Sequence, residues 1–454
     1  MGKVIKIKKG LDILIKGEAS GFISSAPLAN TFAIKPSDFN GLLPKLEVAV
    51  GDEVKAGDPL FHDKSNPSIK FTAPVSGEIV AINRGEKRVI QEIVILADKK
   101  NSFKNFGTTP LNALSEEAVK EKMLLSGAWV HLKQRPFNII ADPNVKPKAI
   151  FISGFNTAPL SADINLQLAN KSDIFQIGID ILNKLANGNV FIGLPADKPL
   201  IDTLKNCKNT TNSFFDGPHP SGLVGVQIHF TRPINKGDYV FTIAPQDVLI
   251  IGKLFKEGIY DTKKLVALVG SSFKTNAYIE TYVGTSIGDI IKTNLNEGKN
   301  RIISGNILCG TQIKEDNYLG FYDDTLTIIP EGDEAEFLGW LLPTYPRPSA
   351  SRAFVWLSRL FQKGKESGFE VNANMHGEER AYVVTNEYEK VMPMDILPNY
   401  LIKAIMANDI DKMEQLGIYE VVEEDLALCE FVCTSKIDVQ SILRKGLNYA
   451  LKEA

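Results

Sequence analysis

Residues 42–97 alternate short apolar runs with glycine-centred turns. The runs VAVGDEVKAGDPLF, IKFTAPVSGEIVAI and KRVIQEIVIL are rich in β-branched residues, and Gly51, Gly57 and Gly77 interrupt the pattern. Short strands separated by such turns are typical of all-β domains. The segment therefore predicts a small β-sandwich.

The two halves of this segment resemble the lipoyl/biotinyl-carrier sandwich, in which a VxxGDxVxxGxxL half precedes an APxxGxV half. A carrier of that family bears its prosthetic group on a lysine at the tip of the connecting hairpin. Here the connection is HDKSNPSIK, and neither Lys64 nor Lys70 has a carrier-like Met-Lys or Asp-Lys-Ala setting. We expect a structural sandwich whose lysines are solvated charges.

Residues 148–200 change from strand to helix periodicity. KAIFISGF indicates a buried strand, apolar residues three and four apart between Ile174 and Leu185 indicate a helix, and Asn187-Gly188 ends it before the strand run NVFIGLP. We predict a βαβ unit in a parallel sheet. Its first turn, SGFNTAPL, has one glycine where dinucleotide binding needs GxGxxG, and the chain has no GxxxxGK motif followed by Ser or Thr. We therefore expect neither a dinucleotide nor a nucleoside triphosphate site.

Residues 264–330 hold further strand-like runs. KLVALVG, ISGNILCG and DDTLTIIP flank the segment YIETYVGTSIGDIIKTNL, in which a helix is expected. Strands around one amphipathic helix predict a compact α+β module.

The chain after this module begins with a proline-rich stretch. Pro343, Pro346 and Pro348 in LLPTYPRPSASR indicate a linker. The remainder is predicted to be largely helical, with Asp395 as the N-cap of ILPNYLIKAIMAN and Gly417 at the end of the helix that contains DKMEQL.

Composition fits an ordered protein of several domains. The chain has 454 residues, of which 44% are hydrophobic and 23% charged, close to the averages for soluble proteins. The net charge of -3 and pI near 6.1 provide no basic excess for a phosphate backbone, so nucleic acid is excluded as a partner class. No apolar run reaches the ~20 residues that span a bilayer, and MGKVIKIKKG does not begin a signal peptide. We expect a cytoplasmic chain that meets the membrane only through partners.

Nine segments in order resemble the A subunit of the bacterial Na+-translocating NADH:quinone reductases. They are IKIKKGLD, the GDEVKAGDPLF and KFTAPVSG halves, NRGEKRV, GPHPSGLVG, QDVLIIGKLF, RIISGNILCGT, YEKVMPMDILP and EEDLALCEFVC. The resemblance implies a multidomain α/β and α+β chain. Its parts would be an N-terminal region with a lipoyl-like sandwich (1–100, core 42–97), a Rossmann-like domain related to the complex I flavin subunit (101–260), a β-grasp, soluble-ligand-binding module (261–342), and a linker with a helical C-terminal domain (343–454).

The resemblance also implies a role. The family member is a peripheral subunit on the cytoplasmic face of the inner membrane, in a six-subunit translocase that oxidises NADH, reduces ubiquinone or menaquinone and exports Na+. It is not catalytic alone and binds no cofactor itself, because flavins and iron-sulfur centres reside in partner subunits. Its expected contribution is to quinone binding and assembly. A purely structural scaffold role is the alternative.

The segment SGAWVHLKQRPF, residues 126–137, corresponds to the glycine-rich flavin loop of the flavin-binding relatives. Trp129 and His131 replace glycines whose missing side chains would let backbone approach phosphate. Flavin binding is therefore disfavoured. The same replacement suits a quinone ring contacted by Trp129, His131, Lys133 and Phe137. Alternatively, Trp129 and Phe137 only fill the vacated space as core.

The cysteines and His219 show no metal pattern. Cys429 and Cys433 lie one helical turn apart, and Cys207 and Cys309 are far away. An iron-sulfur cluster or structural zinc needs about four closely spaced ligands, so reduced, buried thiols are expected. His219, between two prolines in DGPHPSG, is interpreted as part of a rigid loop.

An unrelated enzyme class remains as an alternative. GTSIG, residues 284–288, fits the GxSxG nucleophile elbow between a strand and a helix. A stand-alone serine hydrolase would use Ser286, with Asp323 and His376 as partners. No HGGG-type oxyanion segment precedes it, and glycine-serine turns are common.

Overall fold

A computed structural model describes residues 4–25, 28–333 and 368–453. The strands, in chain order, are β1 Val4–Lys6, β2 Ile23–Ser24, β3 Thr31–Ile34, β4 Pro44–Leu46, β5 Glu53–Val54, β6 Pro59–Asp63, β7 Lys70–Thr72, β8 Gly77–Arg84, β9 Ile90–Ala97, β10 Lys133–Arg135, β11 Ile139–Ile140, β12 Ala149–Ser153, β13 Val190–Pro195, β14 Thr211–Asp216, β15 Val240–Thr242, β16 Lys263–Val269, β17 Tyr278–Tyr282, β18 Asn300–Ser304, β19 Thr311–Ile313 and β20 Thr325–Pro330.

The α-helices, in chain order, are α1 Glu116–Ser126, α2 Ile164–Leu168, α3 Ser172–Leu185, α4 Asp202–Lys205, α5 Val224–Thr231, α6 Pro245–Glu257, α7 Gly288–Ile291, α8 Glu387–Val391, α9 Pro398–Met406, α10 Ile410–Gln415, α11 Ala427–Phe431 and α12 Val439–Glu453.

The N-terminal β region forms two antiparallel sheets, with strand orders β3-β9-β8-β5 and β4-β6-β7. Their inner side chains pack together, and the rings of Phe61 and Phe71 stack with centroids 4.5 Å apart. The predicted sandwich is thus present. Strand β3 lies outside the predicted core of 42–97, yet it pairs along β9 from Thr31 opposite Leu96.

The predicted βαβ unit is confirmed as β12, α3 and β13, with β12 and β13 parallel. Asn187 and Gly188 both have positive φ after α3, the usual way for a chain to leave a helix. The unit belongs to a seven-stranded sheet of order β1-β14-β13-β12-β15-β10-β11. From β12 the chain proceeds to β13 and β14 on one side and then returns to β15 on the other. A ligand crevice is favoured where the strand order reverses in this way.

Residues 263–330 form most of a six-stranded mixed sheet of order β19-β18-β20-β16-β17-β2. The expected amphipathic helix is reduced to the single turn α7. The side chain of Asn294 bonds both the backbone N–H and the carbonyl of Thr275, and such side-chain bonds compete with helix continuation. Strand β2, from the N-terminal region, completes the sheet by pairing with β17.

The C-terminal part is helical, as predicted, but one boundary prediction was wrong. Helix α9 begins at Pro398 with Leu397 as N-cap, so Asp395 does not cap it. The residue before a proline disfavours helical backbone and proline suits the first helical position, which places the start three residues later. Gly417 follows α10 in the left-handed conformation, as predicted. The predicted linker prolines at 343, 346 and 348 lie outside the described residues.

Helices α9 and α12 pack against each other in a core of their own. Leu401 and Ile402 of α9 and Leu443 and Leu447 of α12 are all fully buried there. Of the residues that the structure describes, no helix is both long and apolar enough to cross a membrane.

Candidate functional site

A cavity of about 430 Å³ opens at the reversal point of the seven-stranded sheet. Its walls include the ends of β12 and β15 and the first turn of α6. The mixed sheet and the C-terminal helical part contribute Lys264, Asp323, Glu424 and Gln440. Distant parts of the chain therefore meet around one space.

Asp247 is the most buried charge of this cavity, at 1% exposure. Its Oδ1 lies 2.9 Å from the Lys264 ammonium and its Oδ2 lies 3.2 Å from His131 Nδ1. Burial alone would raise the pKa of this carboxyl, but the charges of Lys264 and then of His131 hold the pKa well below its usual range. Asp247 is thus an ionised carboxylate at the beginning of α6.

His131 connects this ion pair to the sandwich. Its Nε2 lies 2.9 Å from the Tyr260 hydroxyl. Burial raises the pKa of Tyr260, so the phenol stays protonated. Because Asp247 and Tyr260 bind opposite ring nitrogens, the orientation of the imidazole is fixed.

Lys133 faces the same cavity. Its Nζ lies 3.7 Å from the centre of the Tyr322 ring, a cation–π contact, and within the described chain it forms no ion pair. Burial lowers the pKa of Lys133, while nearby Glu424 and Asp323 oppose that shift. The Tyr322 hydroxyl donates to the Val130 carbonyl at 2.7 Å, which holds the ring in place.

The other cavity charges are paired or hydrogen bonded. Arg135 donates to Asp425 at 2.7 Å and to Glu424 at 2.6 Å. Ser304 Oγ donates to Asp323, and Gln167 Nε2 donates to Asp324 at 2.8 Å. Burial raises the pKa of Asp324.

The four residues predicted to contact quinone divide into two pairs. His131 and Lys133 line the cavity. Trp129 lies in the main core, where its Nε1 donates to the Ala141 carbonyl at 2.7 Å. Phe137 lies in a second core and packs edge-on against Tyr419. Strand β10 and the turn before it thus direct alternate side chains toward the cavity and into the core.

Sequence reasoning did not identify Asp247, Lys264 or Arg135. A weak signal was present, because Asp247 lies inside the apolar run QDVLIIGKLF and Lys264 begins KLVALVG. A charged residue within a buried run needs a partner. The identity of that partner depends on the tertiary fold.

The cysteines are reduced. All four are free, with Cys429 and Cys433 buried and Cys309 exposed on the cavity wall. The Tyr388 hydroxyl donates to Cys433 Sγ at 3.0 Å. Throughout the described ranges, no group of three or more His, Cys, Asp or Glu side chains is arranged to hold a metal.

His219 lies in a buried loop that tertiary contacts hold. Its Nδ1 is 3.0 Å from Thr157 Oγ1, and its backbone N–H donates to Asp12 at 2.8 Å. Burial lowers the pKa of His219 to about 4, against an opposing effect of Asp12. The imidazole is therefore neutral near pH 7.

The residues of the hydrolase alternative have other contacts. Ser286 forms an isolated backbone bridge with Tyr318, and Asp323 accepts from Ser304. The backbone N–H of His376 donates to Asn374 in a C-terminal turn. These contacts build no nucleophile elbow with its acid.

Fold and cavity together define a multidomain α/β protein with a barrel-sandwich at its N-terminus. Family models match in the same order: the NqrA N-terminal barrel-sandwich hybrid domain at residues 5–98, the NqrA second alpha/beta domain at 114–260, and the NQRA C-terminal domain at 265–315. The chain belongs to the NqrA family of Na(+)-translocating NADH-quinone reductase subunits.

Curated relatives bear the name of this reductase subunit over their full length. The protein from Yersinia pseudotuberculosis serotype I is 40% identical over 99% of this chain and 100% of its own. The protein from Haemophilus influenzae strain PittGG is 39% identical with the same coverage. The Photorhabdus laumondii protein is 37% identical over 98% of both chains. These relatives give no support to the hydrolase alternative.

Proposed function

We propose that this chain is a peripheral subunit of a Na+-translocating NADH:quinone reductase. The complex oxidises NADH, reduces ubiquinone or menaquinone, and exports Na+. The observation that carries this proposal is end-to-end similarity to relatives named as the same subunit of that reductase. The chain is not catalytic alone, and flavins and iron-sulfur centres belong to its partner subunits.

The protein lies on the cytoplasmic face of the bacterial inner membrane in a six-subunit complex. Isolation of an affinity-tagged chain from membranes of its own bacterium, followed by mass spectrometry, tests this assignment. The other subunits of the reductase are expected in stoichiometric amount, whereas an untagged strain should yield none. Recovery of the chain alone after mild detergent would contradict the assignment.

The described architecture also supports a finer assignment of domains. The sheet reversal at β12 and β15 fits a Rossmann-like domain over 101–260, and the mixed sheet fits a β-grasp module over 261–342. The sandwich accounts for most of 1–100 and the helices for the end of 343–454. An experimental structure superposed on soluble-ligand-binding modules would test the β-grasp assignment, which requires matching strand order.

The quinone headgroup binds in the cavity against His131 and Lys133. The observation that carries this placement is the Lys133 ammonium, which lies on the Tyr322 ring without a carboxylate partner in the described chain. A quinone carbonyl would accept from that ammonium, and a flat ring matches the aromatic wall. Trp129 and Phe137 support this wall from the core behind it.

A short-tailed, photoreactive quinone analogue tests the placement. Labelling is expected on residues of the cavity wall, and Lys133→Met should weaken binding about tenfold, because a charge-assisted hydrogen bond is lost. Lys146→Met is the matched control, since Lys146 is exposed and pairs only with Glu116. Labelling elsewhere, with both variants binding equally, would leave the purely structural scaffold as the role of this protein.

A further inference from the structure

The first turn of α6 is where an anion would be expected. The helix has 13 residues and starts at Pro245 beside the crevice of the sheet reversal. Helix N-termini carry partial positive charge, and at such reversal points they commonly hold phosphate or carboxylate groups. In this fold, however, the position is taken by a residue of the chain itself.

Asp247 is the third residue of α6, and its carboxylate is held between two groups of the cavity wall. Lys264 approaches from β16 and His131 from the turn before β10, at 2.9 Å and 3.2 Å. Both are side chains that an anionic ligand would otherwise use. Because Asp247 binds both, the cationic potential of this end of the cavity is compensated internally.

The rest of the wall adds negative charge. Within the described chain, the cavity lining contains the cations Lys133, Arg135 and Lys264 and five acidic side chains, Asp247, Asp323, Asp324, Glu423 and Glu424. Arg135 is already paired with Glu424 and Asp425. An entering anion therefore meets Lys133 as its single uncompensated cation and an excess of carboxylates, which disfavours its binding.

We propose that Asp247 is an internal anion that fills the anion subsite of this cavity, so that the cavity accepts neutral, carbonyl-bearing rings and excludes ligands with phosphate or carboxylate groups. The part that concerns rings rests on the proposed quinone function. The part that concerns anions does not, because it follows from the ion pairs alone.

The test is a gain of anion binding by Asp247→Asn. The substitution keeps the shape of the side chain but leaves Lys264 and His131 without their anion, and inorganic phosphate is expected to replace it. Calorimetric titration in phosphate-free buffer should give a dissociation constant for phosphate at least about tenfold lower than for the unsubstituted chain. Asp324→Asn is the matched control, since that carboxyl lines the same cavity but is bonded by the Gln167 amide. It should gain no phosphate binding.

Instability of Asp247→Asn would also be informative, because a buried Lys264 has lost its partner. Phosphate at about 50 mM should then restore folding, as any ligand of the native state does. Failure of phosphate either to bind the folded variant or to rescue the unstable one overturns the proposal. Equal phosphate affinity in the Asp247 and Asp324 variants does so as well.

A second measurement uses the unsubstituted chain and separates the two proposals. Alkylation of Cys309, the exposed thiol of the cavity wall, is followed by mass spectrometry in the presence of a neutral short-tailed quinone or its carboxylate-bearing analogue. Protection by the neutral compound alone is expected. Equal protection by both overturns the charge selection while the quinone site stands. If neither protects, the quinone proposal fails, and the phosphate titration by itself decides the role of Asp247.

Discussion

Arg135 and Asp425 are separated by 290 residues in the chain, yet Arg135 Nη1 donates to Asp425 Oδ2 at 2.7 Å. Both side chains are buried. The pair joins β10 to the segment between α10 and α11. It thereby fixes the helical C-terminal part beside the cavity wall.

Removal of this buried carboxylate should destabilise the chain strongly. Asp425→Asn leaves Arg135 with only Glu424, and breaking a buried ion pair costs about 3 kcal/mol or more. The urea midpoint, followed by circular dichroism, should fall accordingly. Glu424→Gln is the control, because that side chain is 39% exposed and should change the free energy of unfolding by less than about 1 kcal/mol. Equal effects of the two variants would contradict the assigned importance of the pair.

Gly225 in α5 should not tolerate a methyl group. A Cβ there would lie 2.2 Å from Asp425 Oδ1 and 2.5 Å from Arg135 Nη1. Alanine normally favours a helix by up to ~1 kcal/mol over glycine, so a loss of stability in Gly225→Ala would show that the clash dominates. The loss should shrink when Asp425→Ala is added, which a double-mutant cycle measures. Additive effects would refute the clash.

Trp129 should matter chiefly for folding. Trp129→Ala removes a fully buried indole and its bond to the Ala141 carbonyl, at a cost of about 3–5 kcal/mol in unfolding free energy. Leu125→Ala, on an exposed position of α1, should stay within about 0.5 kcal/mol. A stable Trp129→Ala chain, by the same urea denaturation, would show that the indole is not core.

His219 should make the chain less stable in mild acid. Its pKa is lowered to about 4 by burial, so the neutral form is favoured in the folded state. The contribution is fully present above the unfolded value of about 6.5 and is lost as pH falls from there toward 4, amounting to roughly 3 kcal/mol. His219→Gln keeps a neutral group beside Thr157 and should flatten this part of the pH profile. Parallel profiles for the two proteins would refute this assignment.

The purified chain should carry no flavin. The segment that corresponds to the flavin loop is occupied by the buried side chains of Trp129, Val130 and His131, and backbone cannot approach phosphate past them. Visible absorption spectra of the protein test this. A stoichiometric flavin band after purification would show that another surface binds the cofactor.

Local pattern determined much of the architecture. The glycine-punctuated runs of the sandwich, the β12–α3–β13 unit and the turn at Gly417 were all evident in sequence, because alternation, helical periodicity and glycine conformation act over few residues. Motif order was enough to indicate the family. Where local bonds compete, as at Asn294, or where proline shifts a helix start, as at Pro398, the sequence prediction was less accurate.

Tertiary structure alone decided the charged interior of the cavity. Asp247, Lys264 and Arg135 each lie in runs that indicate burial, but the carboxylate that a buried cation meets is selected by packing of segments far apart in the chain. The same packing separated Trp129 and Phe137, which enter two cores, from His131 and Lys133, which face the cavity. Sequence determined which residues are apolar or charged, whereas long-range contacts determined their partners, since burial makes an unpaired charge too costly to leave.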